Sequence, residues 1–222
     1  MRLPYQLVCG ALAVSLVFAC SSSDGPPSVD PASGGGGGGG ASSGTPGSSS
    51  SSSGSSGANT APTGPMCAGD TGKLGFNVGD TIGKLEVRSC ETNEIATIDN
   101  LCKAKATWLF HGHTHCPPAA ETAGFTDEVA SEMASKDVAI VHIVYDDSGT
   151  SCEVWKKKYA LGGITNVKLY ADPDGAIFQK IKLTDNFAPS VFINSKHVIT
   201  YKKHQMTKAE VLSRFDEALK SE

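Results

Sequence analysis

Beyond about residue 105 the chain alternates apolar runs with polar connections. Thr107-Trp108-Leu109-Phe110 reads as an apolar strand, and Val138-Ala139-Ile140-Val141-His142-Ile143-Val144 is a continuous apolar run, as expected of a central strand covered on both faces. Between them, Cys116-Pro117-Pro118-Ala119 opens a helix, because proline lacks the N–H that has no partner in a first turn and already holds a helical φ. A second helix is expected around Cys152 to Leu161. The strand Val167-Lys168-Leu169-Tyr170-Ala171 follows, and then the turn Asp172-Pro173-Asp174-Gly175. Ala188-Pro189-Ser190-Val191-Phe192-Ile193-Asn194 and His197-Val198-Ile199-Thr200-Tyr201 read as a hairpin. Thr207-Lys208-Ala209-Glu210 is a capping-box pattern, and Val211, Leu212, Phe215 and Leu219 lie on one face of the helix it starts. This order predicts an α/β domain with a central mixed β-sheet flanked by helices.

The N-terminal part has a different character. Met1-Arg2 precedes an apolar stretch from Leu7 to Phe18, ending at Val17-Phe18-Ala19-Cys20. Residues 1–19 therefore read as a secretory signal, too short for a stable membrane span. The ending resembles a bacterial lipobox, which implies that Cys20 becomes the lipidated first residue of the mature protein. The expected location is the cell envelope, with the chain held by acyl chains to a bacterial membrane, the periplasmic side of the outer membrane. Residues 20–65 are dominated by serine and glycine with scattered proline and cannot bury enough apolar surface to offset chain entropy. Such a tether has a root-mean-square reach of roughly 35–40 Å. Residues 66–222 remain as one domain with its own core.

Charge narrows the partners. The net charge is -4, and the lysines at 156–158 and 202–203 are interspersed with acidic residues. They read as solvated faces, and nucleic acid is not an expected partner.

The candidate chemistry centres on Cys116. A cysteine reacts as its thiolate, which a helix N-terminus stabilises through backbone N–H groups and the positive end of the dipole. His115 adds positive charge when protonated. Three elements, namely the strand leading to Cys116-Pro117-Pro118, the Asp172-Pro173-Asp174-Gly175 turn, and Ala188-Pro189-Ser190-Val191-Phe192 before a hairpin, occur in an order that resembles a thioredoxin-like domain. The likeness runs from about Gly72 to the C-terminus and is nearest to the TlpA/ResA and redoxin (AhpC/TSA-type) group of extracytoplasmic proteins. It implies thiol-disulfide oxidoreductase chemistry of an antioxidant type at Cys116, and a cis Pro189 beside that cysteine shaping a groove for an extended substrate segment. Protein or small-molecule thiols and disulfides are then the substrates, and no cofactor is called for.

One departure changes the expected mechanism. Ala119 stands where a Cys-x-x-Cys site has its second cysteine, which would resolve the mixed disulfide. The options are a monothiol served by an external thiol reductant, a pair between Cys116 and a distant cysteine, a peroxide-reducing thiol, or a fold kept for binding. Cys152 is the candidate partner, because C-terminal ends of parallel strands gather on one sheet edge. Bridging requires a Cα separation within about 7 Å. The peroxidase option is the weakest: Pro-x-x-x-Thr-x-x-Cys is not met, His113 occupies the threonine position, and the mature chain has only Arg88 and Arg214.

Seven cysteines are present. With Cys9 in the signal and Cys20 lipidated, the five that remain leave at least one thiol outside intramolecular pairing. Cys90 and Cys102 are expected to form a structural disulfide across a short loop in an oxidising compartment. Cys67 is open to pairing with Cys152, to staying reduced or to linking chains. His111, His113 and His115 alternate before Cys116, so in an extended strand they share one face. Imidazole and thiolate suit copper or zinc, and the arrangement is similar to the copper-handling Sco proteins, although their paired cysteines are not reproduced. A metal-binding or catalytically silent thioredoxin-fold protein is the competing expectation.

Overall fold

The computed structural model describes residues 64–146, 151–161, 163–185 and 188–220. The chain enters through two short strands, β1 (Leu74–Gly75) and β2 (Thr81–Ile82), then a hairpin of β3 (Val87–Ser89) and β4 (Ile95–Ala96). A 3-10 turn at Leu101–Lys103 leads to β5 (Ala106–His113). Next come α1 (Pro117–Ala123), α2 (Thr126–Glu132), β6 (Val138–Tyr145) and α3 (Ser151–Lys158). β7 (Val167–Asp172), α4 (Ala176–Ile181), β8 (Pro189–Asn194), β9 (Ile199–His204) and α5 (Lys208–Lys220) complete it. The signal, the lipobox cysteine Cys20 and nearly all of the Ser/Gly tract lie outside the described residues.

Seven strands form one mixed sheet in the order β4-β3-β7-β6-β5-β8-β9. β5, β6 and β7 are parallel, while β8, β9, β3 and β4 run antiparallel to their neighbours. The two apolar runs occupy the centre, and each is buried along almost its whole length. Alternation then divides the core. Trp108 and Phe110 face a cluster with Ala119, Val129, Trp155, Phe192 and Phe215, whereas Leu109 faces one with Val141, Ile143, Ile177, Ile181 and Val191. The first cluster is closed by α1, α2, α3 and α5, and the second by α4 and the N-terminal strands.

Some boundaries differ from expectation for local reasons. The helix after Cys116 is two pieces, because the chain leaves helical geometry at Phe125 (φ -109°, ψ 10°). The Asp172-Pro173-Asp174-Gly175 turn launches a short helix, α4, that periodicity did not reveal in six residues. The second hairpin strand starts at Ile199, since His197 turns at φ 57° and Asn194 Oδ1 accepts N–H bonds from Lys196 and Val198. The capping box forms as its spacing implies: Glu210 N donates to Thr207 Oγ1 at 3.3 Å, and Thr207 N donates to Glu210 Oε2 at 2.9 Å.

Candidate functional site

Cys116 is the N-cap of α1, three residues beyond the end of β5. Its N–H donates to His113 O at 3.1 Å and its carbonyl accepts from Ala120 N at 3.0 Å, so the corner is fixed by backbone bonds on both sides. Pro117 and Pro118 occupy the first two helical positions and contribute no N–H. Of the donors a helix N-terminus normally presents, only that of Ala119 is left uncommitted by these bonds. The cysteine is 1 % exposed and packs in the α1-side cluster; Ala119 is fully buried there as well. Access to this sulfur from solvent therefore requires the β5–α1 corner to open.

Pro189 lies at the same edge. The last β5–β8 pair is Phe110 with Ser190, which places Pro189 one residue farther toward the end of β5 that leads to Cys116. The resemblance implied a cis bond before this proline, but no cis peptide occurs among the described residues. The entry to β8 is instead shaped by Ala188, which takes φ 80° and whose carbonyl accepts from Gln205 N at 3.2 Å.

Behind the corner lie two buried polar centres that the sequence reading left out. Trp155 donates its indole N–H to His142 Nδ1 at 3.1 Å, so the neutral ring carries its proton on Nε2, 3.2 Å from Thr126 Oγ1. Burial lowers the His142 pKa from 6.5 to about 3. The Trp155 ring fills the space over Gly112: a Cβ there would lie 2.4 Å from its Cη2. On the opposite face, His111 Nε2 sits 3.0 Å from Asp172 Oδ2, and the same carboxylate accepts the N–H groups of Ile177 and Phe178 at the start of α4. A histidine inside an apolar strand run was the available signal, since a buried polar side chain needs a partner.

The three alternating histidines do not converge. His111 is fully buried and directed to Asp172, His113 is half-buried against the Tyr145 ring at 5.3 Å, and His115 is exposed. The His113 and His115 rings meet edge to face at 5.4 Å, but His111 is committed to Asp172 and does not join them. His111, His113, His115 and Cys116 do not form a ligand cluster among the described residues, which corrects the metal expectation at this place.

The disulfides also differ from expectation. Cys67 bonds Cys102 and Cys90 bonds Cys152, with Cα separations of 5.5 and 5.7 Å. A Cys90–Cys102 bridge is prevented by the β3–β4 hairpin: Cys90 lies at its tip, while Cys102 lies past its open end, where Val87 pairs with Ala96. Cys152 is not joined to Cys116: it is bonded to Cys90, which follows β3, and β7 and β6 separate β3 from β5 in the sheet order. Cys116 is the one cysteine outside these two bridges among the described residues.

No family model matches the chain, and no curated protein matches it. Solved structures do. A candidate thioredoxin from Neisseria meningitidis is similar over 64 % of this chain and 91 % of its own, at 17 % identity and TM-score 0.53. A candidate thiol:disulfide interchange protein DsbE from Chlorobium tepidum covers 65 % of this chain and 99 % of its own, at 12 % identity and TM-score 0.52. A candidate protein disulfide isomerase from Bacteroides thetaiotaomicron covers 67 % and 95 %, at 18 % identity and TM-score 0.53. With β5 delivering Cys116 to α1 and Pro189 entering the neighbouring strand, the domain has a thioredoxin-like fold.

Proposed function

We propose that this protein is an extracytoplasmic, redoxin-like thiol-disulfide exchange protein that uses Cys116 as a single reactive sulfur. The observation that carries the reading is the position of that cysteine, at the N-cap of α1 beyond a central strand and outside both disulfides. The Cys116 thiolate attacks one sulfur of a substrate disulfide, a new S–S bond forms, and the other substrate sulfur leaves as a thiolate. Ala119 has no sulfur and Cys152 is held by Cys90. An external thiol must then attack the mixed disulfide, release the substrate and regenerate Cys116. Pro189 and the backbone beside it supply the edge on which an extended substrate segment lies. Two disulfides in the described domain suit an oxidising compartment, and a lipid on Cys20 with the Ser/Gly tract tethers the domain to the membrane.

Burial of Cys116 favours a second reading, a thioredoxin-fold binding protein without turnover. Wild type and Cys116→Ser, incubated with a small aromatic disulfide, separate the two. Release of the aromatic thiol by wild type and its loss in Cys116→Ser support exchange. Equal, background release from both supports the binding protein.

A further inference from the structure

A second cluster of reactive groups lies where the chain enters the domain. Cys67 Sγ, a carboxylate oxygen of Asp70 and a ring nitrogen of His197 all fall within 4.8 Å of one another. Cys102 belongs to the same group through its bond to Cys67, S–S 2.01 Å. Asp70 Oδ1 is 2.9 Å from His197 Nδ1, and the other oxygen, Oδ2, is buried without a hydrogen-bond partner among the described residues. The Asp70 and His197 side chains are only 14 % and 16 % exposed. Leaving one oxygen of such a carboxylate unsatisfied is unfavourable, and a cation would satisfy it.

The ligands come from separate, well-anchored pieces of backbone. Asp70 N donates to Cys67 O at 3.4 Å, and Met66 N to Ile82 O at 3.1 Å, which ties the entry segment to β2. His197 sits in the β8–β9 turn, where its carbonyl accepts from Ile82 N at 2.9 Å. Cys102 is in the 3-10 turn before β5. None of these groups takes part in exchange at Cys116.

We propose that reduction of the Cys67–Cys102 disulfide turns this cluster into a zinc site with Cys67, Cys102, Asp70 and His197 as its four ligands. A dithiol donor supplies two electrons: the S–S bond breaks, the donor closes to its own disulfide, and its two protons pass to the Cys67 and Cys102 sulfurs. Zinc then binds the two sulfurs as thiolates, and those protons go to solvent. Zn–S bonds of about 2.3 Å and Zn–N or Zn–O bonds of about 2.0–2.1 Å put tetrahedral ligand atoms roughly 3.3–3.8 Å apart. Once the S–S bond is broken the two sulfurs move apart and the Asp70–His197 contact widens slightly, both by side-chain rotation. Two thiolates with one imidazole and one carboxylate favour zinc over calcium or magnesium. Four protein ligands make the site closed and structural. The metal replaces the disulfide as the clamp between the entry segment and the 3-10 turn before β5, and adds the β8–β9 turn through His197, when the surroundings become reducing.

The test is zinc titration of the full chain against a chromophoric chelator, before and after treatment with a dithiol that is then removed. The expected result is about one zinc per reduced chain, with affinity on the order of 100-fold above the oxidised chain. In the reduced chain Asp70→Asn and His197→Gln each weaken binding by at least roughly tenfold, while Cys116→Ser and the Cys90→Ala/Cys152→Ala pair do not. Cobalt in place of zinc should give thiolate charge-transfer bands and the visible absorption of a tetrahedral centre. If reduction unfolds the chain, zinc must refold it at one equivalent by circular dichroism. Equal binding by oxidised and reduced chains, no binding or refolding after reduction, loss of binding with Cys116→Ser, or wild-type affinity in both Asp70→Asn and His197→Gln would overturn the proposal.

Discussion

Trp155 and His142 are joined by a 3.1 Å hydrogen bond between two fully buried rings, and the indole is the donor. The bond holds imidazole in its neutral form and holds Trp155 against Gly112, immediately before the Cys116 corner. A polar pair thus sets the packing around the end of β5 that leads to Cys116.

That pair makes stability depend on acid. Above about pH 6.5 the ring is neutral in both folded and unfolded chains. Below it the unfolded chain takes up a proton that the buried ring refuses until about pH 3. Folding stability therefore falls as pH drops through this window, by roughly 1.4 kcal/mol per pH unit from this group. Urea midpoints measured from pH 7 to pH 4 should show the slope in wild type and a smaller one in His142→Gln. Identical slopes would show that His142 is not the group responsible.

Asp172 connects β7 to α4 and to His111. Asp172→Ala leaves three buried donors without their acceptor, namely His111 Nε2 and the N–H groups of Ile177 and Phe178. A loss of about 3 kcal/mol or more is expected, a Tm lower by roughly 6–12 °C for a domain of this size. Calorimetry checks it; a shift under a couple of degrees would mean that water replaces the carboxylate without penalty.

Ala119 lies one turn into α1 from Cys116, in the same buried cluster. Ala119→Cys should allow an intramolecular attack on the mixed disulfide, shortening its lifetime by on the order of tenfold or more without added thiol. Mass spectrometry of the trapped adduct reads this directly. An unchanged lifetime would show that position 119 does not present a sulfur to Cys116.

The Cys90–Cys152 bond spans 62 residues, and the loop-entropy relation assigns such a bridge about 4 kcal/mol. Replacing both cysteines with alanine should lower stability by roughly 2–5 kcal/mol and leave formation and decay of the Cys116 adduct unchanged. Denaturant unfolding and adduct kinetics on the same variant test the two halves. A longer-lived adduct in the variant would return Cys152 to the role of resolving thiol.

Much of the fold was legible along the chain, for a physical reason. Central parallel strands are covered on both faces and so appear as unbroken apolar runs, and Thr207 with Glu210 encodes a cap whose bonds are local. The short entry strands β1 to β4 and the six-residue α4 carry too few residues for a period to show. Cysteine pairing was misassigned for another reason. Proximity in sequence suggested Cys90 with Cys102, but the β3–β4 hairpin sends them to opposite ends, and strand order takes Cys152 to β3. The histidine stripe failed as a ligand set because His111 is taken by Asp172 while His113 and His115 meet only each other near the surface.

What the sequence determined by itself is therefore what depends on neighbours within a few residues: the strand that delivers Cys116 to a helix start, the two prolines that remove its N–H donors, and the absence of sulfur at Ala119. What only the tertiary structure decided is what depends on sheet order and side-chain convergence. Strands distant in sequence meet there, and so Cys67 reaches Cys102, Asp70 reaches His197, and Cys116 is left outside every bridge among the described residues.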